Sequence, residues 1–174
     1  PQFGTIRPEE FISIAEQAGI VDDIGRWMIE EACRQLAAWH ERYGREFFAA
    51  TSVTGRQLRN PGLVAMIQAA IARYRLPAAA LQVEVSESSI IDAPDAARAV
   101  LNGLHGHGVR IGIEDFGTGH SSLGQIRRVP FHSMKLDRAL MADLYTDPWA
   151  QGVTSAVLAM ARAMRIRSVA DGID

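Results

Sequence analysis

The chain has 174 residues, 48% hydrophobic and 22% charged, a balance that fits a compact α/β-sized globular domain and excludes a disordered chain. Its formal net charge of −2 gives no electrostatic footprint for polymeric nucleic acid or for an anionic membrane surface. Cys33 is the one cysteine, so an internal disulfide and a cysteine-based zinc site are both excluded. With no basic-then-apolar start and no run of 18 apolar residues, the chain reads as cytoplasmic, either free or as the cytoplasmic part of a larger membrane-attached protein.

Taken in order, Pro8 opens a helix with Glu9 and Glu10 in its first turn, Phe11, Ile14, Ala15 and Ala18 on one face, and Gly19 as its stop. Asp22 or Asp23 is expected to cap a second helix whose stripe of Ile24, Trp27, Met28, Leu36 and Trp39 faces a core. The run FFAATSV at 47–53 then reads as a strand buried on both faces. From there the unit repeats: helix 62–74, strand 81–87, helix 94–105, strand 109–115, a short helix from Ser121, strand 132–137, helix 148–164 and strand 166–171. Strands alternating with helices predict a parallel sheet with right-handed crossovers, hence a doubly wound sheet or a β/α barrel.

Each predicted strand ends, at its carboxyl side, in residues that bind cations or handle protons: Ser52, then Glu84 and Glu87, then Glu114 and Asp115, then Lys135 and Asp137, then Asp171. Any one of these alone is more often a helix cap or a surface charge. Five successive strand ends converging on one mouth instead suit hard divalent cations, which take oxygen ligands. The glycines of FGTG after Asp115 let the backbone pass close to a ligand. His105 and His107, one residue apart and without a third partner, are assigned no role, and Trp27, Trp39 and the methionines read as core.

GTIRPEEFISIAEQAGIVDDIGRWMIEEACRQLAAW, VEVSES, IEDFGTGHSSL, VPFHSMKLDRALM and VADGID follow one another in an order that closely resembles the EAL domain, the bacterial cyclic di-GMP phosphodiesterase module. The resemblance covers nearly all 174 residues. It implies one EAL-type, TIM-like β/α barrel domain over 1–174, incomplete in this span. The first strand, with the Glu-Ala-Leu motif and its ligand glutamate, and the closing strands fall outside it. It also implies a two-metal site with Mg²⁺ or Mn²⁺ and hydrolysis of one phosphodiester bond of cyclic di-GMP to a linear dinucleotide.

Carried over residue by residue, the resemblance makes Glu84, Glu114, Asp115 and Ser52 the metal positions, and Lys135 the lysine near the attacked phosphate. Asp171 takes the place of the residue that orients water, and Glu87 steadies the glycine loop. Phe116, Gly117, Thr118, Gly119, His120 and Ser121, with Pro130, form the nucleotide loop. Five departures stand out: Ser52 replaces the family's metal-binding asparagine, Glu114 the first of two aspartates, Asp171 a glutamate, His120 a loop aromatic and His132 an aspartate. Metal geometry tolerates little displacement of its ligand oxygens. The expectation is therefore a degenerate EAL domain that binds cyclic di-GMP or a protein partner with little or no hydrolysis and no ion held. The alternative is an active phosphodiesterase dependent on Mg²⁺ or Mn²⁺. Upstream sensory or cyclase domains and a homodimer are the further partners the resemblance suggests.

Overall fold

The computed structural model describes Gly4 and residues 6–117, 124 and 128–172. The helix predicted from Ser121, and Thr118, Gly119, His120 and Ser121 of the predicted loop, lie outside the described residues. In chain order the elements are α1 (Pro8–Ala18), α2 (Val21–Tyr43), β1 (Ala49–Val53), α3 (Gly55–Leu58), α4 (Gly62–Arg73), β2 (Leu81–Ser86), α5 (Glu87–Asp92), α6 (Pro94–Gly106), β3 (Arg110–Phe116), β4 (Ser133–Leu136), α7 (Arg138–Ala142), α8 (Pro148–Ala163) and β5 (Arg167–Ala170).

All five strands pair in parallel, in the order β1-β2-β3-β4-β5. A doubly wound sheet reverses direction at a switch point, whereas here each crossover moves one place the same way, as it does around a β/α barrel. The register gives the sheet two different faces. Val83, Val85, Ile111, Ile113, Met134 and Leu136 are buried, most of them in one cluster with Leu58, Ile67, Leu101 and Leu104 from the helices. The alternate residues, Ser52, Glu84, Gly112 and Ser133, are aligned across four strands and form the inward, polar face.

Local signals explain most of the helix ends. Pro8 occupies the first turn of α1, and Gly19, at φ 74°, turns its amide back onto Glu16 while Ile20 N–H reaches Ala15 O, so both orphan carbonyls are met. Asp22 and Asp23 do not cap α2. The helix starts at Val21 with no side-chain cap, and the two aspartates lie in its first turn, where they favour the positive end of the helix dipole.

The stripe predicted for α2 is also corrected. Its buried residues are Val21, Ile29, Cys33 and Leu36, while Trp27 and Trp39 are 66% and 40% exposed. Trp27 precedes Ile29 by two residues, which is about 200° round a helix of 3.6 residues per turn, so the two cannot share a face. Ile14 of α1 is likewise exposed. The first strand is shorter than predicted: Phe47 and Phe48 precede it and are exposed, and Phe47 packs edge-on against Trp39 and Tyr43.

Candidate functional site

Ile113 pairs with Met134 and Phe116 with Leu136, so two residues of β3, Glu114 and Asp115, stand opposite the single Lys135 of β4. That is a β-bulge, and within it Asp115 stands in the left-handed conformation, at φ 56°. In a regular strand neighbouring side chains leave on opposite faces. The bulge cancels that alternation, and both carboxylates line one groove of about 560 Å³ together with Ser52 and Ser86. The opposite wall of the groove is apolar, built by Phe11 and Ile12 of α1 and Ile24 and Met28 of α2.

Around the bulge, the polar face is tied together by side-chain contacts. Ser52 Oγ donates to Glu114 Oε2 at 3.0 Å, a contact between strands two apart that an inward-curving sheet allows. Gln82 Nε2 donates to Glu84 Oε1 at 2.8 Å. Lys135 Nζ lies 3.3 Å from Asp171 Oδ2, and the other Asp171 oxygen accepts Gly172 N–H at 2.9 Å. Gly112 leaves the room for this: a Cβ there would stand 2.8 Å from Ser133 Oγ and 3.0 Å from Gln82 Nε2.

The charges do not balance. Burial holds the Glu114 carboxyl above its ordinary range; the Ser52 hydrogen bond and Lys135 oppose this, and the Asp115 and Glu84 charges add to it. Asp115 is raised for the same first reason, burial, and by the charges of Asp137 and Asp171, with Lys135 opposing. Burial works against the Lys135 ammonium, yet its hydrogen bond and charge interaction with Asp171, and the nearby Glu84 and Glu114, hold its pKa above the usual lysine value. The mouth is therefore a negative cluster around one firmly protonated lysine.

Such oxygen-rich negative surroundings suit a divalent cation in charge, but the donors do not close on one. Among the described residues no three His, Cys, Asp or Glu side chains converge to hold a metal ion. The two short side chains at departure positions are engaged within the protein, Ser52 on Glu114 and Asp171 on Lys135 and Gly172.

Glu87 opens α5, directly after Ser86, whose hydroxyl caps the helix by accepting Ser89 N–H. It is 4% exposed, and among the described residues neither of its carboxylate oxygens has a hydrogen-bond partner. A buried carboxylate so placed is costly unless it receives donors. Phe116 is buried, Gly117 has φ 98°, and Pro130 is half-buried just before β4. Ser52, Glu84, Glu114, Asp115, Lys135 and Asp171 thus come to one end of the sheet. Gln82 and Gly112 were missed in the sequence reading, although the alternation of Gln82, Glu84 and Ser86 in LQVEVS carried the signal for the first.

Residues 1–174 match the EAL domain family. The chain is 38% identical over 172 residues to signaling protein YkoW of Bacillus subtilis (strain 168), covering 98% of this chain and 21% of that protein. It is 35% identical over 174 residues to the bifunctional diguanylate cyclase/cyclic di-GMP phosphodiesterase MucR of Pseudomonas aeruginosa, covering all of this chain and 25% of that one. It therefore spans about a quarter or less of the length of these curated relatives. Among solved structures, the MucR phosphodiesterase in complex with cyclic di-GMP superimposes with a TM-score of 0.95 at 35% identity, over 100% of this chain and 70% of that one. The EAL enzyme Bd1971, with cAMP and cyclic di-GMP bound, does so with a TM-score of 0.91 at 29% identity, over 100% and 48%.

Proposed function

Because the chain belongs to the EAL domain family, we propose that its strand-end groove binds cyclic di-GMP and hydrolyses it little or not at all, acting as a receptor module in cyclic di-GMP signalling. The observation that carries this reading is the engagement of the departure residues. Ser52 places a hydroxyl hydrogen on the Glu114 oxygen that an ion would need, and Asp171 is held by Lys135 and by the Gly172 amide. Structures of EAL domains with cyclic di-GMP bound overlay this chain along its whole length, which supports the choice of ligand.

In this reading Lys135 meets a non-bridging phosphate oxygen as a protonated ammonium, sharing its charge with Asp171. The apolar wall of Phe11, Ile24 and Met28 receives a guanine ring, since a planar base gains from burial against apolar side chains. Glu114 and Asp115 oppose the phosphates, so affinity without metal rises as pH falls and these raised carboxyls take up protons. The buried Glu87 carboxylate is a positioning residue at the start of α5 in this reading, ready to accept donors when the ligand is bound. The relatives are several times longer than this chain, so sensory or cyclase segments, a protein partner or a second copy would receive the binding signal.

The second reading, an active phosphodiesterase with Mg²⁺ or Mn²⁺ at Glu84, Glu114, Asp115 and Ser52, is favoured by the similarity to MucR. A repair experiment separates the two. In the complete protein, Ser52→Asn, Glu114→Asp and Asp171→Glu together restore Mn²⁺ binding by more than the sum of the single changes, because ligands of one ion act as a unit. Glu114→Asp alone helps little, since Ser52 still lacks reach. A triple variant that binds Mn²⁺ no better than the parent refutes the degenerate-site account.

A further inference from the structure

The polar face of the sheet has a second end, about 13 Å along the strand from Glu114 at 3.3 Å per residue. There a cavity of about 470 Å³ is lined by Gln82, Arg110, His132, Ser133, Arg165 and Arg167. Gln82 stands opposite Arg110, and Ser133 opposite both Gly112 and Arg167, so these side chains share the inward face. Arg165 joins them from the turn after α8. It sits at φ 57°, with its amide on Arg162 O and the next amide on Ala161 O.

Three arginines line this cavity and no carboxylate does, and among the described residues none of the three forms an ion pair. Arg110 stacks on the Phe48 ring at 5.2 Å, which engages the face of the guanidinium and leaves its in-plane N–H groups as donors. His132 adds a further donor. Its Nδ1 accepts Ile111 N–H at 3.1 Å, so the ring proton of the neutral side chain is on Nε2. Like charges gathered in one concavity repel unless an anion neutralises them, and a concave wall concentrates their field. Three forks with a histidine and a serine donor exceed what one carboxylate, with two oxygens and one charge, can accept. They match the several oxygens and higher charge of a phosphate group.

We infer that this cavity, at the end of the sheet away from the carboxylates, binds a small phosphate-bearing anion. The test uses the complete protein, with pyrophosphate as the probe and sodium chloride of equal ionic strength as the control, read by thermal melting and calorimetry. Pyrophosphate raises the parent's Tm saturably. Arg167→Gln weakens its binding at least tenfold. Arg165→Gly does the same while melting no lower than the parent in chloride, because glycine suits φ 57°, so loss of binding is not loss of fold. Cyclic di-GMP binding is unchanged in both variants. An equal shift in parent and variants would mark a general salt effect. No shift in the parent beyond chloride would mean that another segment of the chain already holds the arginines. Either result overturns the inference.

Discussion

Glu114 and Asp115 are adjacent in sequence, and that adjacency was legible; the reason both line one groove was not. It depends on the offset between β3 and β4, which places two residues opposite Lys135 and which no single-chain pattern encodes. The raised carboxyls at this point have a stability consequence. A carboxyl whose folded pKa lies above its unfolded value of 4.5 carries no penalty below that value. The penalty grows as pH rises and is complete above the folded pKa. Glu114→Gln keeps an oxygen to accept the Ser52 hydrogen and removes the charge. It is expected to stabilise the protein at pH 7, where the parent carboxylate carries its full penalty, with the gain fading toward pH 4. Denaturant unfolding at the two pH values checks this, and a variant that is less stable at pH 7 contradicts it.

At the scale of elements, hydrophobic periodicity located all five strands and the longer helices, because one buried face imposes its period on the residues. It did not find α3, which is held by specific polar contacts. Thr54 and Gln57 form a reciprocal capping box, and the buried Gln57 amide also donates to Val21 O at 3.4 Å. Gly25 of α2 makes the space, since a Cβ there would collide with that amide. Gly25→Ala alone should therefore cost about 1–3 kcal/mol by overpacking, and Gln57→Ala a similar amount through lost hydrogen bonds. In the Gln57→Ala background the clash is gone and alanine's helix propensity dominates, so Gly25→Ala becomes neutral or stabilising. A double-mutant cycle in urea measures the coupling; simple additivity would contradict the contact. The tryptophans of α2 misled the sequence reading because apolar spacing cannot tell a core face from a face that is left exposed.

At the scale of the molecule, the order of strands distinguishes barrel from doubly wound sheet, and only pairing reveals it. Among the described residues the same order leaves β1 and β5 as edges, with all four residues of β5 exposed and Trp39, Tyr43, Phe47 and Phe48 exposed near β1. Unpaired parallel edges beside apolar surface invite association. Expressed alone, these 174 residues are expected to aggregate at micromolar concentration, as light scattering would register; a soluble monomer with a sharp, reversible thermal transition contradicts this. Across the molecule, the proposed function requires a groove that keeps its ligand and has lost its chemistry. Calorimetry of the complete protein with cyclic di-GMP, with chelator and then with Mn²⁺, alongside a turnover assay on the same sample, tests it most directly. Binding is expected to persist in chelator, with no appreciable linear dinucleotide formed in Mn²⁺. Hydrolysis on the order of 1 per second or faster, or binding that vanishes with the metal, would contradict it.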